Sequence, residues 1–217
     1  MLRRIFLPIA LIFVAGEPAT AAPDDDFLIV PGESVGKITG DASENHLRAI
    51  YGADRVKPTL VDQGEGFVCR GSRILFGAGE TLEVTWLDAE ARSGVEAVHV
   101  KGRRWNTSEG IHLGVTLKEL ESINGTPFQL AGFGVDYAGT ITSWEDGRLD
   151  RFTGRVWLSL APTQEDYERI PINELLPVMG DGVDSSAHPI MQRLNPRLVK
   201  LVVRLAQDKL CDSFFPE

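Results

Sequence analysis

The side chains with the chemistry for catalysis or metal binding are few in this 217-residue chain: four histidines, two cysteines and a short acidic turn. The most suggestive cluster is Asp181, Asp184 and His188 in MGDGVDSSAH. Carboxylate oxygens around a glycine suit Ca²⁺, and a carboxylate–histidine pair suits a hydrolase. The spacing departs from the D-x-[DN]-x-[DN]-G calcium loop, so a plain turn is the simpler expectation. The same three residues are the ones a periplasmic hydrolase would use. His46, His99, His112 and His188 stand in no nucleophile or metal motif, and G-x-S-x-G, H-E-x-x-H and C-x-x-C do not occur. His46 is expected on the polar face of a helix, and His99 on one strand face with Val95 and Ala97. No catalytic residue, metal site or cofactor is expected from these patterns. Asn106-Thr107-Ser108 and Asn124-Gly125-Thr126 match N-x-[ST], but turn chemistry alone explains the second.

The N-terminus predicts export. Arg3 and Arg4 precede the apolar run Ile5–Ala15, and Ala19-Thr20-Ala21 is an A-x-A cleavage site. The run falls well short of the roughly 20 residues a spanning helix needs. Residues 1–21 are therefore expected to be a signal peptide cut after Ala21, with a soluble periplasmic or secreted product and no later transmembrane segment. Cutting there removes two positive charges and one negative, which takes the formal charge from −9 to −10. So acidic a surface argues against nucleic acid and anionic lipid. In an oxidising compartment Cys69 and Cys211 are expected to form a disulfide.

Elements that could position a site follow from local patterns. Ser43–Tyr51 reads as a helix capped by Ser43 and ended by Gly52. RILFGAG, TLEVTWL and GVEAVHV read as antiparallel strands. The plan then recurs at an offset of 73: Ser43, Leu47, Ile50 and Gly52 match Thr116, Leu120, Ile123 and Gly125. FQLAGFGVDY, GTITSWEDG and RVWLSLAP follow as strands, with Asp146-Gly147 as a hairpin signal. Thr163 caps a short helix that Pro171 stops. RLVKLVVRL, residues 197–205, fits a strand or a helix.

The opening Pro31-Gly32-Glu33-Ser34-Val35-Gly36-Lys37-Ile38 with Gly52, and Leu113-Gly114 with Thr116, Leu120 and Gly125, resemble the modules of the beta-lactamase-inhibitor-protein-like fold, which lipoproteins of outer-membrane assembly share. The resemblance spans residues 28–161. It implies an α+β fold: two tandem modules of short helices on antiparallel sheet, over 28–104 and 105–161, with a C-terminal extension over 162–217 packed on them. The chain lacks a lipidation cysteine. Within this frame Phe133, Tyr137, Trp144 and Trp157 are expected on an open sheet face that grips an unidentified exported or envelope protein, because aromatics dominate interfaces. The competing expectation is that the C-terminal segment or the other repeat covers that face. A non-enzymatic binding protein is the leading reading; the hydrolase above and a structural envelope protein are the alternatives.

Overall fold

A computed structural model describes residues 26–64, 66–135 and 137–206. The expected signal peptide and Cys211 lie outside the described residues. The chain is α+β. Three very short strands, β1 (Leu28–Val30), β2 (Ser34–Val35) and β3 (Ile38–Thr39), precede helix α1 (Glu44–Tyr51). A meander follows: β4 (Val56–Gly64), β5 (Phe67–Gly77), β6 (Glu80–Asp88) and β7 (Ser93–Lys101). Next come β8 (Asn106–Thr107), helix α2 (Leu117–Asn124), β9 (Gln129–Ala131), β10 (Ile141–Ser143) and β11 (Val156–Ala161). Short helices α3 (Gln164–Glu168) and α4 (Ile172–Leu175), strand β12 (Val183–Ser185), helix α5 (Pro189–Leu194) and strand β13 (Arg197–Arg204) complete the described chain.

The helices begin where their caps dictate. Ser43 Oγ accepts from His46 N at 3.3 Å. Thr116 and Glu119 form a reciprocal capping box, with Thr116 N donating to Glu119 Oε2 at 2.8 Å. Gly125 ends α2 in the left-handed region at φ 85°, where a side chain would be strained. Thr163 caps α3 through Asp166 in the same way.

One six-stranded antiparallel sheet organises the molecule, in the order β11-β13-β7-β6-β5-β4. Its inner face supplies Ile74, Leu82, Val84, Trp86, Val98, Leu158, Leu201 and Val203 to a single core shared with Leu47 of α1 and Leu117 and Leu120 of α2. Two small sheets, β3-β2-β1-β8 and β10-β9-β12, flank it. Residues 197–204 are a strand, which resolves the strand-or-helix ambiguity. Lying between β11 and β7, β13 pairs its backbone on both sides; a helix there would leave two strand edges bare. Strand β13 of the C-terminal extension is thus part of the large sheet. Equivalent hydrogen bonds hold the two helix starts to the neighbouring strands β7 and β13. Glu44 N donates to Arg92 O at 2.9 Å and Leu117 N to Pro196 O at 2.8 Å; Gly94 N donates to Ala42 O at 3.0 Å and Leu198 N to Val115 O at 2.8 Å.

The Asp146-Gly147 turn is not a two-residue hairpin. Glu145 and Asp146 both take positive φ, and the chain enters a 3-10 turn at Asp150–Phe152 before β11. The reason is burial: Trp144, Leu149 and Phe152 all join the core. The buried Asn124 amide clamps the segment, its Nδ2 donating to Trp144 O at 2.9 Å while its Oδ1 accepts from Leu149 N at 3.0 Å.

At the start of α1, buried Glu44 accepts from Ser72 Oγ at 2.6 Å, Arg48 Nε at 3.0 Å and Arg92 Nη1 at 2.9 Å. Burial pushes its carboxyl pKa up, but these donors outweigh burial and hold it below the ordinary value. A lowered folded-state pKa gives stability that is present above the unfolded-state pKa and lost as pH falls through the folded one. Glu44→Ala, which leaves Ser72 and two guanidinium groups without their acceptor, is expected to destabilise by about 2 kcal/mol at neutral pH. Urea unfolding at pH 7 and at pH 3 checks this: the gap between wild type and variant should narrow at the acid value.

Candidate functional site

Away from the core, the outer face of the large sheet carries one cross-strand row over all six strands. The paired positions are Trp157–Val202, Val202–His99, His99–Glu83, Glu83–Arg73 and Arg73–Lys57. Side chains alternate along a strand, so these residues share a face. Toward β4 the row is ionic: Arg73 Nη2 donates to Glu83 Oε1 at 2.6 Å, and Lys101 lies 3.9 Å from Glu83 Oε2. Toward β11 it is aromatic and apolar.

A groove of about 410 Å³ lies over the aromatic half. That volume falls within the range of small-molecule sites. Its floor is Ala97, His99 and Val202, one wall is Trp157 with Tyr137, and the opposite wall is Phe67 with Gln63 from the β4–β5 tip. The Tyr137 and Trp157 ring centroids are 5.8 Å apart. Trp157 Nε1 donates to Thr140 Oγ1 at 3.4 Å, which fixes the indole edge. Lys200 Nζ lies 5.6 Å from the Trp157 ring centre and donates to Gln63 O at 3.3 Å. The β4–β5 tip is thereby tied to β13 across the sheet face.

His99 is the unusual residue. It is 4% exposed, and its Nε2 has no hydrogen-bond partner. The hydroxyl of Thr85, on the next strand, is likewise buried and unpartnered. Burial first, then the charges of Lys101 and Lys200, push the His99 pKa down to about 4, with Asp62 opposing weakly. The imidazole is therefore neutral at pH 7, offering one donor and one acceptor. The arrangement provides aromatic walls, cations at the rim and a neutral imidazole in the floor.

The expected aromatic face divides. Tyr137 and Trp157 are 55% and 38% exposed and stack beside the groove, whereas Phe133 and Trp144 are 1% and 4% exposed and lie in the core. Trp144 follows the end of β10 and packs on Phe128 at 5.4 Å. Phe133 lies beyond β9, bridged to Met179. Neither obeys the alternation that had grouped it with the exposed pair. The face expected for His99 also changes by one residue. Trp86 pairs with Val95 and Thr85 with Ala97, so Glu96 is the extra residue of a β-bulge. The bulge turns Val95 into the core and leaves Ala97 and His99 on the outer face. Lys200 and Arg204 were not foreseen as groove residues; their signal was the alternation of Lys200, Val202 and Arg204 in RLVKLVVRL. Phe67 had no such signal.

The other candidates lie elsewhere. His46 is exposed on α1. His112 Nδ1 lies 2.9 Å from Leu113 O. His188 caps α5, its Nδ1 accepting from Ile190 N at 3.2 Å. Asp184 is on β12 opposite Leu130, and Asp181 is exposed before that strand. Among the described residues no three His, Cys, Asp or Glu side chains are grouped to hold a metal ion. Cys69 is buried on the outer face of β5, two residues from Phe67.

Because the His99 pKa is depressed in the folded state, the unfolded chain takes up a proton first as pH falls. The folded state should therefore lose stability between its ordinary value of 6.5 and about 4. His99→Phe should abolish that component: urea midpoints at pH 7.5 and pH 5 should differ less in the variant than in wild type. An NMR titration of the His99 ring in wild type should give a midpoint near 4.

No family model matches this sequence, and no curated protein matches it. Among solved structures, the chain is similar to the uncharacterized protein yfeY from Escherichia coli, with 14% identity and a TM-score of 0.43 over 80% of this chain and 97% of that one.

Proposed function

We propose that the chain is an exported, non-enzymatic binding protein that holds an apolar-bodied ligand or partner segment in the groove on the outer face of its large sheet. One observation carries this reading: a neutral imidazole with an unpartnered Nε2 sits in the floor of an aromatic-walled groove. An unsatisfied buried polar atom costs roughly 1–3 kcal/mol, and a ligand's polar group removes that cost. Tyr137 and Trp157 supply stacking surface, while Lys200 and Arg204 favour an acidic or carbonyl-bearing end.

The two-module plan belongs to the same proposal. Support comes from the equivalent bonds at α1 and α2, and from the matching isolated bridges Ser43–Ser93 and Thr116–Arg197. On this plan β4-β5-β6-β7 corresponds to β9-β10-β11-β13. Residues 162–196 are then an insertion before the last strand of the second module. The last strands of both modules, β7 and β13, are neighbours in the large sheet. The likeness to inhibitor and envelope-lipoprotein modules is part of this proposal and is supported by the plan; the signal peptide, the periplasmic or secreted address and an exported or envelope partner belong to it on the strength of the Arg3-Arg4, Ile5–Ala15 and Ala19-Thr20-Ala21 pattern. Among the described residues no helix is long and apolar enough to cross a membrane.

The amphipathic anion anilinonaphthalene sulfonate is a suitable probe. Trp157 is the exposed tryptophan, whereas Trp86, Trp105 and Trp144 are in the core. Dye binding should quench Trp157 emission by energy transfer, and Trp157→Ala should weaken binding about tenfold, equivalent to about 1.4 kcal/mol. Equal binding by Trp157→Ala and wild type would place the dye elsewhere and defeat the reading.

A further inference from the structure

We propose that the groove takes a small aromatic carboxylate. Its carboxylate meets His99 and Lys200, and its ring body lies over Val202 and Ala97 between the aromatic walls. This names the ligand class for the groove reading above and rests on that reading.

The groove has a direction. Along the outer face β13 presents Lys200, Val202 and Arg204 in turn, about 13 Å from first to last. Val202 pairs with His99 and Arg204 with Ala97, so His99 lies nearer the Lys200 end. At that end Lys200 bridges the two walls, with Nζ 5.6 Å from the Trp157 ring centre and donating to Gln63 O at 3.3 Å. An ammonium has three donors, so two remain for a ligand.

The two ends differ in charge. Lys101 and Lys200 both bear on His99, with Asp62 opposing weakly. Glu83, paired with His99 across β6 and β7, is held by Arg73. At the far end Arg204 shares the groove lining with the Glu96 carboxylate. The Lys200 end is therefore the cationic one, in a chain of formal charge −9.

The same end holds the unsatisfied polar atoms. His99 Nε2 is buried without a partner, and so is the Thr85 hydroxyl, diagonal to His99 across the β6–β7 pair. In its Nε2–H tautomer the imidazole donates into the groove. A carboxylate has two oxygens and about four acceptor sites. It can take Nε2–H and the Lys200 ammonium together, and such charge-assisted bonds are the stronger kind. A neutral carbonyl would leave the Lys200 charge unmatched.

The body of the ligand follows from the walls. Phe67, Tyr137 and Trp157 line the groove, while the apolar floor is Ala97 and Val202. Small floor side chains between aromatic walls leave a slot that a flat ring fills, with offset or edge contacts to its neighbours. An alkyl chain would meet the same surface at a greater cost in lost torsional freedom. Trp157 and His99 stand two strands apart, about 10 Å, which one or two fused rings with a carboxylate bridge.

Calorimetric titration of the full chain with 2-naphthoate, 2-naphthamide and decanoate tests the assignment. The amide keeps the rings and loses the charge; decanoate keeps the charge and loses the rings. Naphthoate should bind at least about tenfold more tightly than either. Lys200→Met should weaken naphthoate about tenfold and leave the amide nearly unchanged. His99→Phe should weaken both, since both present an acceptor oxygen to Nε2–H. Circular dichroism verifies that each variant is folded. Wild type supplies a readout of its own. An anion against the ring favours imidazolium, so naphthoate should raise the His99 midpoint in an NMR titration above about 4. By linkage its affinity should then grow as pH falls from 7 to 5.

Equal binding of naphthoate and the amide, or a His99 midpoint unmoved at saturation, overturns the carboxylate. Decanoate binding as tightly as naphthoate overturns the aromatic body. In both cases binding that Trp157→Ala weakens keeps the groove reading. No binding of any of the three, or binding indifferent to Trp157→Ala, defeats the ligand class and the groove reading together.

Discussion

The antiparallel pairing of β7 with β13 is the constraint on which the rest of the structure depends. It joins Val202, Val203 and Arg204 to His99, Val98 and Ala97, residues about a hundred positions apart in the chain. With β13 in place, β4 to β7 and β11 become one sheet, α1 and α2 share one core, and the outer face becomes continuous from Trp157 to Lys57. Without it β7 and β11 would both present bare edges. Because β13 ends the described chain, the groove is assembled from the middle and the end of the sequence. A pairing of such sequence separation is slow to form.

The two faces of this sheet obey different physics. The inner face is apolar and close-packed around Trp86, Leu82 and Val203. The outer face mixes an ion-paired half, set by Arg73 and Glu83, with an aromatic half around Trp157. The Glu96 bulge is the device that separates them on β7. It keeps Val95 in the core while aiming Ala97 and His99 outward. The same bulge carbonyl receives the backbone N–H groups of Leu205 and Ala206, so the end of the described chain is anchored at the groove.

What the sequence made legible was local. Ser43, Thr116 and Thr163 each mark a helix start because a cap needs only its own next three residues. The strand character of RILFGAG, TLEVTWL and GVEAVHV was plain from β-branched and aromatic residues between glycines, whereas β4 and the first half of β5, with Pro58, Asp62 and several glycines, gave no such pattern. The composition of the aromatic face was only half legible. Alternation grouped Trp144 with Trp157, yet Trp144 lies past the strand end, where the distant Asn124 amide turns the backbone inward. The position of β13 was hidden for a similar reason: RLVKLVVRL satisfies both periods, and only the two open edges beside it decide. The groove itself depends on a bulge and on Lys200 reaching Gln63, neither of which leaves a local pattern.

Chemical-shift mapping of the isotope-labelled full chain during titration with anilinonaphthalene sulfonate tests the central claim most directly. Perturbations should concentrate on the outer face, at the Trp157 indole, the His99 ring and the Val202 methyls, and leave α1 and α2 unmoved. Perturbations confined to the helices, with Trp157 and His99 unchanged, would contradict it.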